Sequence, residues 1–356
     1  MNILSGDPPR GRALQILLVV IILALALAPF LFPGAKALNV AAKTCVMILL
    51  AASYDLLLGY AGIVSFAHVM FFGVGAYGIG LMLYTLGGSW GALVAGLIAA
   101  AALSLALALA IGLFSLRVQS IFFAMVTLAV AYAFNVLASQ LSGLTGGEDG
   151  RSFKVPEALQ PGFRLTQDKL FGVALTGKIL TYYLVFAVVA AAFLVLLRAV
   201  NSPFGRVLQA IRENPFRAEA LGYRTVFHRT LATCMSALGA TLAGALFALW
   251  LRYVGPDTAL SFSIQVDVLV MVVFGGMGSL YGAIIGAALF VFAESYLQDV
   301  MAALSQAAAN ASVPLLPALF HPDRWLLWLG LAFVLAVYFA PSGVVGALKG
   351  EEPKAN

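Results

Sequence analysis

The chain has 356 residues, of which 62% are hydrophobic and only 10% are charged, and its mean hydropathy is +1.01. Soluble domains average about 45–50% apolar and about 25% charged residues, so this composition excludes a soluble globular enzyme. The net charge of +5 does not indicate nucleic-acid binding, because the basic residues lie between apolar runs rather than among aromatic residues on a polar surface.

Apolar runs of about 20 residues, the length that crosses a bilayer core of about 30 Å, fill the chain. They lack the two-residue alternation of barrel strands, and in lipid only a helix satisfies its backbone hydrogen bonds within its own segment. We therefore predict an all-α polytopic membrane protein of about ten transmembrane helices, including Gly-broken or re-entrant segments. The runs are 13–32, 37–57, 62–85, 91–114, 118–141, 178–199, 231–252, 263–281, 283–303 and 323–341.

Charged residues between the runs predict the topology. Segment 201–230 carries five arginines and only two glutamates, so the positive-inside rule places it in the cytoplasm. Alternation of the runs then places both termini in the cytoplasm and segment 143–177 outside. The predicted domains are a cytoplasmic tail at 1–12, a permease domain at 13–341 and a second cytoplasmic tail at 342–356.

Two glycine-rich interruptions break the helical pattern. The first extends from Gly59 to Gly62, and the second begins at Gly275-Gly276 and continues through Gly278. In transporters, Gly-interrupted helices in the two halves of the chain point to the substrate pathway. The sequence therefore predicts that both interruptions shape a translocation pathway.

Polar residues inside the apolar runs are costly in lipid and are therefore functional candidates. Asp55 and Asp267 lie near the ends of their runs, where snorkelling or helix capping would tolerate them. For His68, a hydrogen bond to a backbone carbonyl explains the residue at least as well as a pathway role. No metal-ligand spacing or catalytic set emerges, so we predict no catalytic residues and no cofactor bound by this chain. The full set is Lys43, Asp55, Ser65, His68, Asn135, Asp267 and Glu294.

Small residues recur at close spacing in several runs. Residues 73–78 (GVGAYG) match the dinucleotide-binding fingerprint, but that motif requires a preceding strand in a soluble βαβ unit. Gly278, Gly282 and Gly286 form a second series with a spacing of four. Close packing of membrane helices explains both patterns, and a direct lining of the pore is the alternative for the second.

The cytoplasmic segment contains a predicted helix–turn–helix element. Asn201 or Ser202 can cap a helix that starts at Pro203, Pro215 breaks that helix, and Gly222 ends a second short one. The pattern fits either a solvated basic loop that fixes topology or a docking surface for a cytoplasmic partner, and we favour the docking surface.

Three blocks, taken in their order along the chain, carry a family resemblance. The first combines DLLLGYAG (55–62), SFAH (65–68) and FFGVGAY (71–77), the second is 202–223, and the third is VFGGMGS (273–279) with Gly282 and Gly286. They resemble the LivM-like permease family of branched-chain amino acid ABC importers, over roughly residues 40 to 345. Ala67 departs from the pattern, since many relatives have glycine there.

The resemblance implies partners and site residues. The partners are a homologous LivH-like permease, two cytoplasmic ATPase subunits that hold ATP and Mg, and an extracytoplasmic substrate-binding protein that meets segment 143–177, all at the bacterial inner membrane. The implied ATPase-coupling residues are Arg212, Glu213, Asn214, Pro215, Arg217, Ala218, Glu219, Ala220 and Gly222. The implied pathway residues are Gly59, Gly62, Ser65, His68, Gly275, Gly276 and Gly278.

The function implied by the resemblance is import of branched-chain or other apolar amino acids by alternating access, driven by ATP hydrolysis on partner chains. Because the binding protein does most of the selection, urea, short amides and aromatic acids are alternative substrates. An ion-coupled secondary transporter is a further alternative, although it would need midplane carboxylates or broken-helix ion sites.

Overall fold

The computed structural model describes residues 11–31, 34–114, 120–170, 173–310, 320–339 and 342–349. In chain order, its helices are α1 (Arg12–Ala26), α2 (Ala28–Leu31), α3 (Ala35–Asp55), α4 (His68–Leu86), α5 (Trp90–Phe114), α6 (Ser120–Gln140), α7 (Ser142–Thr145), α8 (Gly177–Val200), α9 (Pro203–Glu213), α10 (Pro215–Ala220), α11 (Thr225–Leu251), α12 (Pro256–Ala259), α13 (Phe262–Gly275), α14 (Leu280–Asn310), α15 (Trp325–Phe339) and α16 (Gly343–Lys349). The strands are β1 (Arg151–Ser152), β2 (Arg164–Leu170), β3 (Val173–Thr176) and β4 (Tyr253–Val254).

The helices confirm an all-α polytopic membrane protein. Eight helical stretches of the described chain are long and apolar enough to cross a membrane. The two other predicted runs fall on α1 and α15, which have 15 residues each. The cytoplasmic location of the two tails stays a prediction, and their residues 1–10 and 350–356 lie outside the described part of the chain.

The centre of the bundle is formed by α3, α4 and α11. Contacts join α4 to α11 and α5, while α3 packs against α14, α11 and α8. Buried residues make up 89% of the most apolar part of the α3 span but only 22% of that of the α5 and α6 spans. Because α5 and α6 leave most of their apolar surface uncovered, they present it to lipid or to a partner chain.

The glycines of the GVGAYG motif allow α4 to approach three neighbours at backbone distance. A Cβ atom at Gly73 would lie 2.1 Å from Leu260, one at Gly75 would lie 1.9 Å from the carbonyl oxygen of Thr241, and one at Gly78 would lie 2.6 Å from Ala100. These neighbours belong to the end of α12, to α11 and to α5 respectively. The motif therefore serves helix packing, as the sequence predicted.

The predicted outer segment contains short strands that tie it to the bundle. Strand β1 pairs antiparallel with β4, so that Arg151 lies opposite Val254 directly after α11. Strands β2 and β3 form a separate antiparallel pair. The amide of Phe153 also donates to the carbonyl of Arg252. The segment is therefore fastened to the corner between α11 and α12.

Candidate functional site

The first glycine interruption is longer than the sequence predicted. Helix α3 continues as a π-helix, Leu56–Tyr60, and the chain is then non-helical until α4 begins at His68. Single turns of π-helix within α-helices occur frequently at functional sites. The predicted run at 62–85 missed this boundary, because a buried extended segment is as apolar as a helix.

Side chains satisfy the backbone of this non-helical segment. The amide of Phe66 donates to Thr127 Oγ1 at 3.1 Å, and the amide of Val69 donates to Gln265 Oε1 at 3.1 Å. Ser65 Oγ accepts from the amide of Ala67 at 3.3 Å. Non-helical backbone at membrane depth is tolerated only where it is buried in protein or lines a water-filled cavity. Gln265 is therefore a structural support that the sequence analysis missed.

His68 lies in the core between α3 and α11. Its Nε2 is 3.0 Å from Ser53 Oγ and 3.3 Å from the carbonyl oxygen of Leu50, and its Nδ1 is 3.4 Å from Ser236 Oγ. The residue is 1% exposed. This environment matches the hydrogen-bonded core histidine that the sequence allowed, and the pathway role of His68 stays a prediction.

The two glycine interruptions touch each other. Asp55, at the end of α3, is buried, and its Oδ1 accepts from the amide of Gly278 at 2.9 Å. A Cβ at Gly59 would lie 2.0 Å from the same Oδ1 and 2.3 Å from the amide nitrogen of Gly278. Asp55 thus neither snorkels nor faces water, since its carboxylate holds the backbone of the second interruption just before α14.

Arg212 of α9 fastens the predicted cytoplasmic loop to both interruptions. Its Nη1 donates to the carbonyl oxygen of Gly59, and the guanidinium lies within electrostatic range of the Asp55 carboxylate. Its Cγ lies 2.9 Å from the position of a Cβ at Gly62, while Nη1 lies 3.2 Å from that of a Cβ at Gly278. We call Asp55, Gly59, Gly62, Gly278 and Arg212 the glycine junction.

The left-handed backbone at Gly62 (φ 69°) and Gly278 (φ 81°) explains why glycine stands at these two positions of the junction. Other residues rarely adopt this conformation. Gly275 and Gly276 flank the junction and pack elsewhere: a Cβ at Gly275 would lie 2.0 Å from the Gly282 carbonyl oxygen, and one at Gly276 would lie 3.0 Å from that of Ser342. The C-terminal helix α16 therefore covers the second interruption, a contact that the sequence analysis did not anticipate.

The predicted cytoplasmic loop, residues 201–230, has the expected helix–turn–helix form. Helix α9 begins at Pro203, α10 begins at Pro215, and Asn214 Oδ1 caps α10 by accepting from the amide of Arg217 at 3.0 Å. Ser202 stands at the start of α9, but its hydroxyl donates to the carbonyl of Ala199 instead of capping that helix. Gly222 follows α10 with a φ of 89°, as a helix-ending glycine does.

Other residues predicted to couple to an ATPase lie on or beside α10. Ala218 is buried against the bundle, and Glu219 Oε1 accepts from Thr225 Oγ1 at 2.5 Å. Two large apolar side chains are left in the open: Phe216 is 82% exposed and Leu221 is 72% exposed. The loop is thus packed against the protein on one side and carries an uncovered apolar surface on the other. The remaining predicted coupling residues, all exposed, are Glu213, Arg217, Ala220 and Gly222.

Three of the intramembrane charged residues come together away from the junction. Lys43 Nζ lies 2.7 Å from Glu294 Oε2, with side-chain exposures of 30% and 27%, and Asp267 lies within electrostatic range of both. The residues belong to α3, α14 and α13. Sequence reasoning named all three residues but missed the cluster, because 251 positions separate Lys43 from Glu294.

We expect Lys43→Met to lower the thermal stability of the purified protein more than Glu294→Gln does. Loss of the ammonium group leaves the carboxylates of Asp267 and Glu294 without a neighbouring cation. The double variant should recover part of the loss, with a coupling free energy of about 1 kcal/mol. Thermal unfolding in one detergent tests this. Lys36→Met is the matched control, since the Lys36–Asp299 pair is 56% and 62% exposed. Equal losses for both lysine variants would contradict the prediction.

A bundle of apolar helices, interrupted at two touching glycine breaks and fastened there to a structured loop, has the architecture of a membrane permease. The family described as the permease component of branched-chain amino acid transport systems matches residues 36–337. The chain therefore belongs to this family, and the predicted LivM-like resemblance is confirmed.

Individual relatives agree with this assignment. The chain is 29% identical over 365 residues to the high-affinity branched-chain amino acid transport system permease protein LivM of Escherichia coli, covering 95% of this chain and 79% of the relative. It is 26% identical to the probable branched-chain amino acid transport permease protein LivM of Methanocaldococcus jannaschii (82% and 88% covered). It is 24% identical to LivH of the corresponding system in Salmonella typhimurium (69% and 80% covered). No solved structure matches.

Proposed function

We propose that the chain is the permease subunit of an ATP-driven ABC importer that moves branched-chain or other apolar amino acids across the bacterial inner membrane. Its partners are a LivH-like permease, two cytoplasmic ATPase subunits that hold ATP and Mg, and an extracytoplasmic binding protein. Membership of the permease family and the similarity to both LivM and LivH proteins support this assembly. ATP hydrolysis takes place on the partner chains.

The observation that carries the proposal is the contact between Arg212 and the carbonyl oxygen of Gly59. It links a loop helix to the point where α3 loses its regular hydrogen bonds. Hydrogen bonds of charged groups contribute about 1.5–3 kcal/mol, and the exposure of Arg212 places this partly buried bond at the lower end of that range. A displacement of α9 by an ATPase is therefore transmitted to the membrane helices at their least regular point.

The glycine junction connects four membrane helices through the two interruptions. The π-helix extends α3, the non-helical segment leads into α4, and the second interruption joins α13 to α14. Regular helices resist bending, whereas interrupted ones change direction at a few backbone torsions. Alternating access then consists of a movement of α9 that reorients these helices around the junction.

A direct test is to express the chain alone and together with its candidate partners. We expect a second permease and two ATPase subunits to co-purify with it, and substrate-loaded binding protein to stimulate ATP hydrolysis in proteoliposomes. Uptake of amino acid by the isolated chain would overturn the proposal. Uptake assays with urea, short amides and aromatic acids distinguish the alternative substrates.

The cluster of Lys43, Asp267 and Glu294 favours one other function, ion-coupled secondary transport, because intramembrane carboxylates can carry protons. That function requires uptake driven by a proton or sodium gradient in vesicles that lack ATPase subunits. Absence of such uptake, together with ATP-dependent uptake by the full assembly, would exclude it.

We expect Phe216→Ala and Leu221→Ala to reduce recovery of the ATPase with the permease, by about tenfold for the double variant. Both side chains are too exposed to stabilise the fold, so the loss would report on docking. Thermal stability should not change. Leu326→Ala on α15, at a leucine that is 63% exposed, is the matched control. Full recovery of the ATPase with the double variant would contradict a docking role.

A further inference from the structure

A cavity of about 210 Å³ lies between α6 and the corner where α12 meets α13. Asn135 and Ala131 line it from α6, Asp257 and Phe262 line it from the corner, and Val69 of α4 closes one end. The volume lies below the roughly 300 Å³ at which drug-sized sites begin. The cavity therefore has room only for a small molecule.

The lining of the cavity includes residues near the predicted outer segment and residues next to the first interruption. Asp257 follows β4, which pairs with the predicted outer segment at Arg151. At the other end, Val69 belongs to the first turn of α4, where its amide is bonded to Gln265. The ring of Phe262 also pairs with that of Phe66 in the non-helical segment, at a centroid distance of 6.2 Å. An occupant would contact both the outer corner and the start of the broken helix.

The polar groups of the cavity suit an ammonium group. Asp257 has no ion-pair partner among the described residues. The Nδ2 of Asn135 donates to the carbonyl oxygen of Leu260 at 3.2 Å, which fixes the orientation of the amide and leaves Oδ1 as an acceptor.

The remaining walls suit an apolar side chain and a carboxylate. Leu128, Ala131, Leu260 and Phe262 supply apolar surface. Ser261 also lines the cavity and precedes α13, a 14-residue helix whose N-terminal dipole is positive. One carboxylate, one positive helix end and an apolar wall together complement the three parts of an apolar amino acid.

We propose that this cavity is a binding site for a zwitterionic α-amino acid with an apolar side chain, its ammonium held by Asp257 and Asn135. The inference rests on the proposed function, since it names the place where the importer receives its substrate from the binding protein. The apolar side chain of the amino acid packs against Ala131, Leu260 and Phe262. The negative charge of Asp257 at one end of the cavity and the limited volume at the other determine its specificity.

The test uses the complete importer in proteoliposomes, with saturating leucine-loaded binding protein. We expect Asp257→Asn to lower the rate of leucine uptake by about tenfold, equivalent to about 1.4 kcal/mol, with unchanged thermal stability. Asp257→Glu should restore part of the rate. Glu157→Gln, which removes an exposed acidic group from the same predicted outer side, is the control for docking of the binding protein and should transport normally.

A second variant tests the apolar wall through selectivity. Phe262→Ala enlarges the cavity at a side chain that is 47% exposed, so the fold should tolerate it. We expect it to raise the ratio of phenylalanine to alanine uptake relative to the unmodified importer. A merely structural role of Phe262 would change both rates equally.

The outcomes separate this inference from the proposed function. If the unmodified importer shows no ATP-dependent uptake of amino acids, both are overturned. If the unmodified importer transports leucine, and the Asp257→Asn and Phe262→Ala variants show the same uptake rates and selectivity, only the cavity assignment is overturned. If it transports a neutral amide independently of Asp257, the zwitterion is the wrong ligand class.

Discussion

Arg212→Ala is expected to abolish coupled transport while the helix bundle stays folded. The variant removes the donor to the Gly59 carbonyl and the cation that faces Asp55. The loop then keeps its apolar anchors, since Leu208 and Ile211 of α9 are both fully buried. The ATPases should still bind and hydrolyse ATP, but movement of α9 should no longer reach the glycine junction.

The measurement is the ratio of substrate transported to ATP hydrolysed in proteoliposomes. We expect this ratio to fall by at least about tenfold for Arg212→Ala, and by less for Arg212→Lys, which keeps the charge but loses the planar guanidinium. Arg206→Ala is the matched control, because Arg206 is an exposed arginine of the same helix. An unchanged ratio for Arg212→Ala would rule out the junction as the coupling route.

Asp55→Asn should lower the ratio of substrate transported to ATP hydrolysed by the same route as Arg212→Ala. Asparagine still accepts from the Gly278 amide but no longer carries the charge that complements Arg212. If the two residues act through one contact, the double variant should be no worse than the more damaging single variant. Additive losses in the transport ratio would show that they act separately.

The second large effect is a loss of stability when glycines in the contact between α4 and α11 are replaced. Gly75 and Gly244 form a reciprocal contact: a Cβ at Gly75 would lie 1.9 Å from the Thr241 carbonyl oxygen, and one at Gly244 would lie 1.8 Å from that of Phe72. Because both obstacles are backbone atoms inside helices, no side-chain rotation can relieve the overlap. The helices would have to separate along the centre of the bundle.

Gly75→Ala and Gly244→Ala should each destabilise the protein by at least about 1–3 kcal/mol, the usual cost of overpacking a core. A fall in thermal stability and in the yield of monodisperse protein in detergent checks this. Gly91→Ala is the control, since no atom lies within 4 Å of a Cβ placed there on α5. Wild-type stability of Gly244→Ala would show that α4 and α11 pack less closely than described.

Local chemistry made the helices and the loop predictable. Runs of about 20 apolar residues that face lipid are helical, and each of the ten runs contains a helix in the described part of the chain. Proline and asparagine also fix the loop, since Pro203 and Pro215 begin α9 and α10 and Asn214 caps the second. These signals act within a few residues of one another, so a single sequence contains them.

Helix ends inside the membrane were harder to predict. The expected run at 62–85 includes six residues before His68 that are not helical, and the run at 263–281 continues past the end of α13 at Gly275. Hydropathy does not distinguish an extended apolar segment from a helix. What supports the extended segment is a set of polar side chains on other helices, such as Thr127 and Gln265.

The sequence by itself determined that this protein is a helical membrane permease of the LivM-like family, with two glycine interruptions and one structured loop between α8 and α11. Only the tertiary structure decided that these three features meet, through Asp55 with Gly278 and Arg212 with Gly59, across 223 and 153 positions of the chain. The physical reason is that membrane-spanning helices all have a similar, mostly apolar composition. Their mutual arrangement depends on a few polar partners and on glycines that admit close backbone contact, and one sequence does not reveal which of them pair.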